Sequence, residues 1–444
     1  MIRIPHRALV PLAAVLALLA GCRPRTAPSP RVTPPPRERL DVRDLRREPV
    51  VRILLAQSVS AVEVRGSAGF VILDEGGRAL ARYGRARRYH LFQSPERPER
   101  LAIFSEVRRG RTVARAARRV LPFRGSVVLA PEKGGTLIVN GRHYRGRIRL
   151  LREGGHFHCL NLLPLELYLR GVVPHEIGRL GRQGYEALKT QAVVSRTYAL
   201  QRLRESAGRP WDMVDTVMDQ VYGGAAEEHR LSNQAIADTR GQVVWSRGEP
   251  AEVYYSSTCG GASAAIDEVW LHAPVPHLVS QRDADAQGRS WCRTSKYFRW
   301  RHSWSARQLG AILRAFLPQA AGLPAGTDIG RLRDLRLAAY TAEGRAKVLE
   351  VRTDKGVWRV YGDRIRTALK RDLDGLPLRS TLFRLHREVD AEGRLARVTA
   401  VGGGWGHGIG LCQVGAIERS KAGQEYREII GAYFPGTTVR RLWR

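Results

Sequence analysis

Acidic residues and cysteines are scarce in this chain of 444 residues, and long apolar runs are nearly absent. The chain has 42 Asp and Glu against 74 Lys and Arg, so its formal net charge is +32. This excess favours anionic partners such as nucleic acid, acidic lipid or wall polymers. The cations form no dense basic helix and no zinc-finger spacing, so we expect no nucleic-acid binding. The cysteines lack the close pairs typical of structural zinc sites.

The longest apolar run occupies residues 8–20, after two arginines. It is too short for a helix that spans a membrane, and it has the length of a secretory signal. It ends in Leu-Ala-Gly-Cys22, which resembles the bacterial lipoprotein box, where the cysteine is lipidated. We therefore predict a signal peptide over residues 1–21, a lipid anchor on Cys22 that holds the protein on a membrane, and a location in the cell envelope. In a cell with two membranes, Arg23 favours the outer membrane, facing the periplasm.

Composition and periodicity divide the rest of the chain into three parts. Residues 22–49 are rich in Pro and Arg and predict an extended tether. Short alternating apolar runs predict a β-rich domain over residues 50–155, with a hairpin at Asn140-Gly141. From residue 156 to 444, strand and helix patterns mix without regular alternation. The sequence therefore predicts an α+β fold with a second domain over residues 156–444.

Two stretches of the second domain predict long helices. In "YEALKTQAVVSRTYALQRLRES" a stripe of small and apolar residues recurs at helical spacing and is expected to face the core. This stripe consists of Leu188, Ala192, Ser195, Ala199 and Leu203. The last predicted helix is "AIERSKAGQEYREIIGAYF".

Four cysteines follow Cys22, and in an oxidising compartment we expect at least one disulfide among them. They allow three complete pairings, and two unpaired buried thiols are the alternative. We predict a bond between Cys259 and Cys292, since both lie in a stretch predicted to be rich in loops. Closing this loop would stabilise the fold by about 3 kcal/mol.

Seven short motifs follow one another in a recognisable order: "LPLELYLRGVVPHEIG", "YEALKTQAVVSRTYAL", "DQVYGG", "TRGQVV", "YYSSTCGGAS", "RSTLF" and "GGWGHGIGLCQVGA". From about residue 142 to 434 the chain resembles the SpoIID/LytB family. This family comprises lytic transglycosylases of the stage II sporulation protein D type and amidase enhancers. The resemblance implies a catalytic domain with a long cleft that cuts peptidoglycan strands already stripped of stem peptides.

The resemblance also implies functional residues. The catalytic glutamate of the family matches Glu176. For substrate binding, the helix motif, the Gly-rich motif and the acidic and aromatic residues near them supply the candidates Lys189, Gln191, Arg196, Tyr198, Asp219, Tyr222, His407 and Gln413. Trp405 is a further candidate platform for a sugar ring. A structural role remains the alternative for His407, as a buried brace of the Gly-rich loop, and for Tyr222, as a core residue.

One glutamate suffices for a lytic transglycosylase, because the muramic acid C6 hydroxyl replaces water and the same carboxyl serves first as acid and then as base. Glu176 must then start protonated, which requires burial; nearby Lys189 or Arg196 would oppose this.

We expect no cofactor or metal, with zinc as the alternative: some family members bind zinc near the "YYSSTCGGAS" segment, but Ser256 replaces their histidine. The expected partners are glycan strands and a cell-wall amidase. The alternative function is a non-catalytic amidase enhancer.

Overall fold

The computed structural model describes residues 41–444 except residues 44, 86, 95, 96, 98, 110 and 111. The predicted signal peptide, Cys22 and the first part of the tether therefore lie outside the described residues. No helix within the described ranges is long and apolar enough to cross a membrane.

Strands are the commoner element in the described part of the chain. In chain order they are β1 (Val50–Val59), β2 (Ala61–Gly66), β3 (Phe70–Leu73), β4 (Ala79–Tyr83), β5 (Tyr89–Gln93), β6 (Arg100–Arg109), β7 (Thr112–Pro122), β8 (Ser126–Pro131), β9 (Leu137–Val139), β10 (Arg142–Tyr144), β11 (Arg147–Glu153), β12 (His156–Pro164), β13 (Met213–Val214), β14 (Gln242–Ser246), β15 (Glu249–Pro250), β16 (Tyr255–Ser256), β17 (Trp300–Ser305), β18 (Leu332–Tyr340), β19 (Ala346–Thr353), β20 (Gly356–Tyr361), β21 (Phe383–Val389), β22 (Leu395–Gly402), β23 (Leu411–Cys412) and β24 (Thr438–Arg441).

The α-helices of the described residues all follow β12. They are α1 (Leu165–Glu176), α2 (Tyr185–Glu205), α3 (Arg230–Asp238), α4 (Ile266–Val269), α5 (Ala306–Ala321), α6 (Arg364–Ala368), α7 (Gln413–Lys421) and α8 (Tyr426–Tyr433). Helices and strands thus mix without a repeating β-α unit, and the predicted α+β fold is confirmed.

Two large sheets form the N-terminal part. The first has the strand order β13-β1-β12-β11-β8-β3-β4, and the second has the order β10-β9-β2-β5-β6-β7. Asn140 and Gly141 join β9 to β10 with φ values of 47° and 83°. Positive φ at both positions is what a tight two-residue hairpin turn requires, so the predicted hairpin is confirmed.

The long helix α2 is the centre of the helical layer. Its predicted stripe is fully buried, from Leu188 to Leu203, and it packs against α1, α3, α7 and α8. Apolar residues of both large sheets and of these helices join one core. Helix α1 follows directly on β12 and ends at Glu176, because Gly178 takes a φ of 92° that an α-helix does not allow. The helix end thus sets the place of Glu176.

A second, smaller core lies between Trp300 and Ala400. It is formed by α5, α6 and two three-stranded sheets, ordered β17-β22-β21 and β18-β19-β20. Helix α5 begins with a capping box, in which Ser305 and Gln308 each bond the backbone N–H of the other. This part of the chain supplies one side of the cleft described below.

The prediction of one last helix is wrong: the stretch "AIERSKAGQEYREIIGAYF" contains parts of two helices, α7 and α8. Gly423 adopts a φ of 89° between them, and Glu425 and Glu428 start α8 with a new capping box. The apolar periodicity is continued by both helices, which explains why the pattern predicted a single one.

Candidate functional site

A cleft with a volume of about 690 Å³ is bounded by residues of both cores. We call one side the glutamate wall; its polar residues are Glu176, Tyr198, Asp219, Tyr255 and Gln413. We call the other side the arginine wall; it consists of Arg366, Arg371, Leu376, Pro377 and Arg379. Trp270, Trp405 and His407 also line the cleft.

Glu176 projects from the end of α1 into this cleft. Its Oε1 accepts a hydrogen bond of 2.8 Å from the Val221 backbone N–H. The Tyr255 hydroxyl and the Gln413 amide also donate to the carboxylate. Three donors thus fix the orientation of one carboxyl group at the cleft surface.

Burial raises the pKa of Glu176 above its ordinary value. The hydrogen bonds from Val221, Tyr255 and Gln413 act in the opposite direction, since they stabilise the carboxylate, and the nearby His175 adds a smaller lowering effect. Desolvation outweighs these contributions because no cation forms an ion pair with Glu176 within the described residues. The group is therefore suited to donate a proton.

Neither Lys189 nor Arg196, the two cations expected beside the catalytic glutamate, lies in the cleft. The Lys189 Nζ pairs with Glu186 at 2.9 Å and sits over the rings of Tyr185 and Tyr426. Arg196 is fully buried, and its guanidinium makes two bonds of 3.0 and 2.7 Å to Glu166. The Glu166–Arg196 pair joins α1 to α2, and Glu176 has no ion pair with any residue that the structure describes.

Asp219 lies on the glutamate wall but is fully engaged. Its Oδ1 accepts from the Arg202 Nε at 2.8 Å and from the Tyr198 hydroxyl at 3.4 Å. Its Oδ2 accepts from the Val214 N–H at 2.8 Å. Asp219 therefore anchors the loop before Val221, which in turn donates to Glu176.

Two further predicted residues act from outside the cleft. Gln191 is buried, and its Oε1 accepts from the Gln413 amide at 3.4 Å. Gln413 thus bridges Gln191 and Glu176. Tyr222 is buried as well; its ring packs on α1 at Gly171, and its hydroxyl donates to Asn161 at 2.8 Å. It is a core residue rather than a platform in the cleft.

The Gly-rich segment after β22 lines the cleft and lies in close contact with neighbouring parts of the chain. Gly406 has a φ of 106°, and a Cβ there would lie 2.7 Å from the Ser256 Cβ. At Gly408, with a φ of 83°, a Cβ would collide with the guanidinium of Arg345. Glycine is therefore required by both conformation and space.

His407 braces this segment. Its Nε2 donates to the Tyr255 carbonyl at 2.9 Å, and its Nδ1 accepts from the Ile409 N–H at 3.0 Å. Burial lowers the pKa of His407 to about 4, so the ring is neutral near pH 7 and both nitrogens are occupied. This geometry gives His407 the bracing role.

The arginine wall carries unpaired cations. Arg366 pairs with Asp363 at 3.0 Å, whereas Arg371 and Arg379 form no ion pair with any described residue. The Nε atoms of these two arginines are buried and lack a hydrogen-bond partner. Burial lowers the pKa of Arg379, and the charge of Arg371 lowers it further. Sequence reasoning missed this pair, because scattered arginines give no local signal.

A buried cluster behind the cleft contains groups that can hold a metal ion. The four donor groups belong to Cys259, Asp283, Cys292 and Cys412, and their ligand atoms all lie within 4.8 Å of one another. The Sγ atoms of Cys259 and Cys292 are 3.6 Å apart, and all four buried cysteines of the described residues are free thiols. The structure thus brings the predicted disulfide partners together with two further donors.

Comparison with known proteins identifies two segments. Residues 153–245, which include Glu176, match the family model of the stage II sporulation protein SpoIID. Residues 281–410, which include the arginine wall, match a domain of unknown function, DUF8618.

Three relatives illustrate the similarity. An uncharacterised protein of Brachyspira hyodysenteriae is 27% identical over 71% of this chain and 77% of its own length. The amidase enhancer of Bacillus subtilis is 28% identical over 61% of this chain, but only 40% of the enhancer is covered. Stage II sporulation protein D of Bacillus subtilis is 26% identical over 62% of this chain and 74% of its own length.

Proposed function

We propose that this chain, which is similar to proteins of the SpoIID/LytB family, is a lytic transglycosylase that cleaves peptide-stripped glycan strands of peptidoglycan to 1,6-anhydro-muramic ends. The observation that carries the proposal is the raised pKa of the Glu176 carboxyl group in the cleft. Of the described residues that line the cleft, only Glu176 and Asp219 carry a carboxyl group. Asp219 is held by Arg202, whereas Glu176 forms no ion pair within the described part of the chain and has a raised pKa.

The proposed reaction uses this one carboxyl group twice. Protonated Glu176 gives its proton to the glycosidic oxygen as the bond from that oxygen to the muramic acid C1 breaks. The muramic acid C6 hydroxyl oxygen then bonds to C1, and the Glu176 carboxylate accepts the hydroxyl proton. Glu176 returns to its starting state, and no water is consumed. The donors Val221, Tyr255 and Gln413 would stabilise the carboxylate that exists between the two transfers.

The arginine wall supports a peptide-stripped strand as the substrate. When an amidase removes the stem peptide, the lactyl group of each muramic acid keeps a free carboxylate. Arg371 and Arg379 offer unpaired guanidinium groups at the cleft, where they would bind such carboxylates. An intact stem peptide would replace the carboxylate by an amide and lose this attraction.

The similarity to an amidase enhancer and to the SpoIID family model supports an envelope or extracellular location. We further propose that Cys22 carries the lipid anchor and that residues 22–49 tether the domains 50–155 and 156–444 to the membrane. Replacing Cys22 with Ser should then move the protein out of the membrane fraction. Retention of the C22S protein on membranes would contradict the anchor.

The test of the activity is mass spectrometry of stripped glycan strands after incubation with the protein. The wild type should produce anhydro-muramic ends, and Glu176→Gln should reduce cleavage by about 10²–10⁴-fold while strand binding is retained. Glu227→Gln is the matched control: this carboxylate pairs with Arg179 away from the cleft and should leave cleavage unchanged. Reducing ends would indicate a hydrolase, and normal cleavage by the E176Q protein would exclude Glu176 as the acid.

The similarity to an amidase enhancer supports one other function, that of a non-catalytic wall protein which stimulates an amidase. Glycan strands that still carry their stem peptides, incubated with a cell-wall amidase and the protein, distinguish the two functions. If neither wild type nor E176Q produces new glycan ends, while both accelerate peptide release equally, the protein acts as an enhancer.

A further inference from the structure

The buried donor cluster behind the cleft has the composition and spacing of a metal site. Cys259, Cys292 and Cys412 supply three sulfur atoms, and Asp283 supplies one carboxylate oxygen. The separation of 3.6 Å between the Cys259 and Cys292 sulfurs is far longer than the roughly 2.05 Å of a disulfide bond. It is close to the roughly 3.8 Å expected between two sulfurs that are each about 2.3 Å from a tetrahedral zinc ion.

Backbone N–H groups point at the sulfurs in the way that suits thiolates. Cys259 N–H donates to the Cys412 sulfur at 3.2 Å, and Gly415 N–H donates to the same sulfur at 3.4 Å. Gly261 N–H donates to the Cys259 sulfur at 3.4 Å. Cys412 also stands at the N-terminus of α7, where the helix dipole favours a negative charge.

The arginines around the cluster require a negative partner. Arg419 donates to Asp283 at 3.1 Å. Arg345 is only 2% exposed, bonds two backbone carbonyls, and has no ion pair among the described residues. Its Nε and Nη1 atoms have no hydrogen-bond partner, although Cys259 and Cys412 lie near enough to interact with its charge.

The net charge of the cluster differs between its zinc-bound form and a form with a Cys259–Cys292 disulfide. Zinc bound by three thiolates and one carboxylate carries two negative charges in excess, which balance Arg345 and Arg419. A Cys259–Cys292 disulfide would leave Asp283 as the only anion of the four-residue cluster, and Arg345 would lose the negative charge of Cys259, with Asp363 remaining as a carboxylate that acts on it. Loss of a compensating charge from a buried cation is destabilising.

We propose that Cys259, Asp283, Cys292 and Cys412 bind one zinc ion as a closed structural site. All four ligands are buried protein side chains, so no coordination position is left for water or substrate. The donor set contains no histidine, and three of its members lie outside the "YYSSTCGGAS" segment where the family resemblance implied zinc. The ion links the loop after β16, the segment 283–292 and the start of α7.

The site lies directly behind the glutamate wall. Cys412 precedes Gln413, which donates to Glu176, and Cys259 follows the cleft-lining residues Ser256 and Ser257. Zinc therefore holds the start of α7 and the Ser256 loop in register. Loss of the ion should lower thermal stability first and should disturb the cleft as a consequence.

The test measures metal content by mass spectrometry on the full-length chain, purified without added metal or chelator. We expect about one zinc per chain for the wild type. Cys292→Ser and Asp283→Ala should each reduce zinc at least tenfold, whereas Cys159→Ser, which alters a buried thiol outside the cluster, should keep it. Glu176→Gln should also keep zinc, so this result is independent of the catalytic proposal.

A second measurement does not depend on whether the variants fold. Wild-type chain exchanged into Co²⁺ should show the thiolate-to-cobalt absorption bands of a tetrahedral site, and chelator should remove them together with part of the thermal stability. A wild-type chain without metal whose mass is lower by two hydrogens, with Cys259 linked to Cys292, would overturn the proposal. A metal-free chain with four reduced thiols would overturn it as well.

Discussion

The two walls of the cleft differ in whether their cations form ion pairs within the chain. On and behind the glutamate wall, each cation that sequence reasoning placed near the catalytic residue has its own carboxylate: Arg196 bonds Glu166, and Lys189 bonds Glu186. On the arginine wall, Arg371 and Arg379 have no such partner within the described ranges. The cations at the glutamate wall are thus neutralised by carboxylates of the chain. Those of the arginine wall would be neutralised only by an anion that binds from outside.

This difference shows how one cleft can hold a carboxyl group with a raised pKa and a cationic surface together. If Arg371 or Arg196 stood beside Glu176, it would stabilise the carboxylate and lower its pKa. Pairing the cations of one wall internally leaves burial as the dominant effect on Glu176. The cations of the arginine wall that have no ion pair among the described residues would attract the anionic strand proposed as the substrate.

The first prediction tests the ion pair between Glu166 and Arg196 behind the glutamate wall by removing the carboxylate. Glu166→Gln should lower the free energy of unfolding by about 3–5 kcal/mol, because it leaves Arg196 buried and unpaired. Urea denaturation measures the change. Asp334→Asn, in the exposed pair with Arg387, should cost less than about 1 kcal/mol. Equal effects of the two variants would show that burial does not distinguish these pairs.

The second prediction removes the charge of the arginine wall. Arg371→Gln combined with Arg379→Gln should weaken binding of peptide-stripped strands by about 10–100-fold, since hydrogen bonds between charged groups contribute about 1.5–3 kcal/mol. Stability and the affinity for strands with intact stem peptides should change little. Binding is measured by fluorescence anisotropy of labelled strands, and the Arg→Lys double variant should restore part of it. Equal losses for both kinds of strand would refute lactyl carboxylate recognition.

The third prediction concerns the second carboxyl group of the glutamate wall. Asp219→Asn should reduce cleavage less than about tenfold, because Asp219 is engaged by Arg202 and by the Val214 N–H and is not required to transfer a proton. End-group analysis of the glycan products measures the effect. A loss as large as that of the E176Q variant would identify a mechanism with two carboxyl groups.

The fourth prediction follows from the raised pKa of Glu176. The rate constant kcat/KM should fall on the alkaline side with a midpoint above the ordinary glutamate pKa of about 4.3, as the acid loses its proton. Strand affinity should stay nearly constant across this limb, because the arginines keep their charge. A midpoint at or below the ordinary value would contradict burial as the dominant effect.

The same pKa shift predicts the sign of a stability change. A carboxyl group whose folded-state pKa is raised binds its proton more tightly in the folded chain than in the unfolded chain. Its contribution to stability is fully present below the unfolded pKa and is lost as pH rises through the folded pKa. The free energy of unfolding of the wild type relative to E176Q should therefore decrease with rising pH, as measured by denaturation at several pH values.

Local pattern accounts for the parts of the fold that were predicted correctly. The stripe from Leu188 to Leu203 and the Asn140-Gly141 turn depend on spacing and on backbone conformation, which are encoded within a few residues. The two-helix end of the chain was missed, since Gly423 interrupts a periodicity that continues beyond it. Of the predicted site residues, Glu176, Tyr198, Asp219, His407 and Gln413 line the cleft, and Lys189, Gln191, Arg196 and Tyr222 do not.

By itself, the sequence determined which chemical groups are present and which segments form helices, strands and turns, because these properties depend on neighbouring residues. The ordered motifs also established the resemblance to the SpoIID/LytB family. Tertiary structure alone decided which charges are neutralised: Arg196 meets Glu166 across 30 positions of the chain, and Cys259 meets Cys412 across 153. Electrostatic interaction depends on distance in space and on burial, and neither can be read from spacing along the chain. For the same reason, spacing along the chain did not predict the cluster of Cys259, Asp283, Cys292 and Cys412 or the two arginines that lack an ion pair among the described residues.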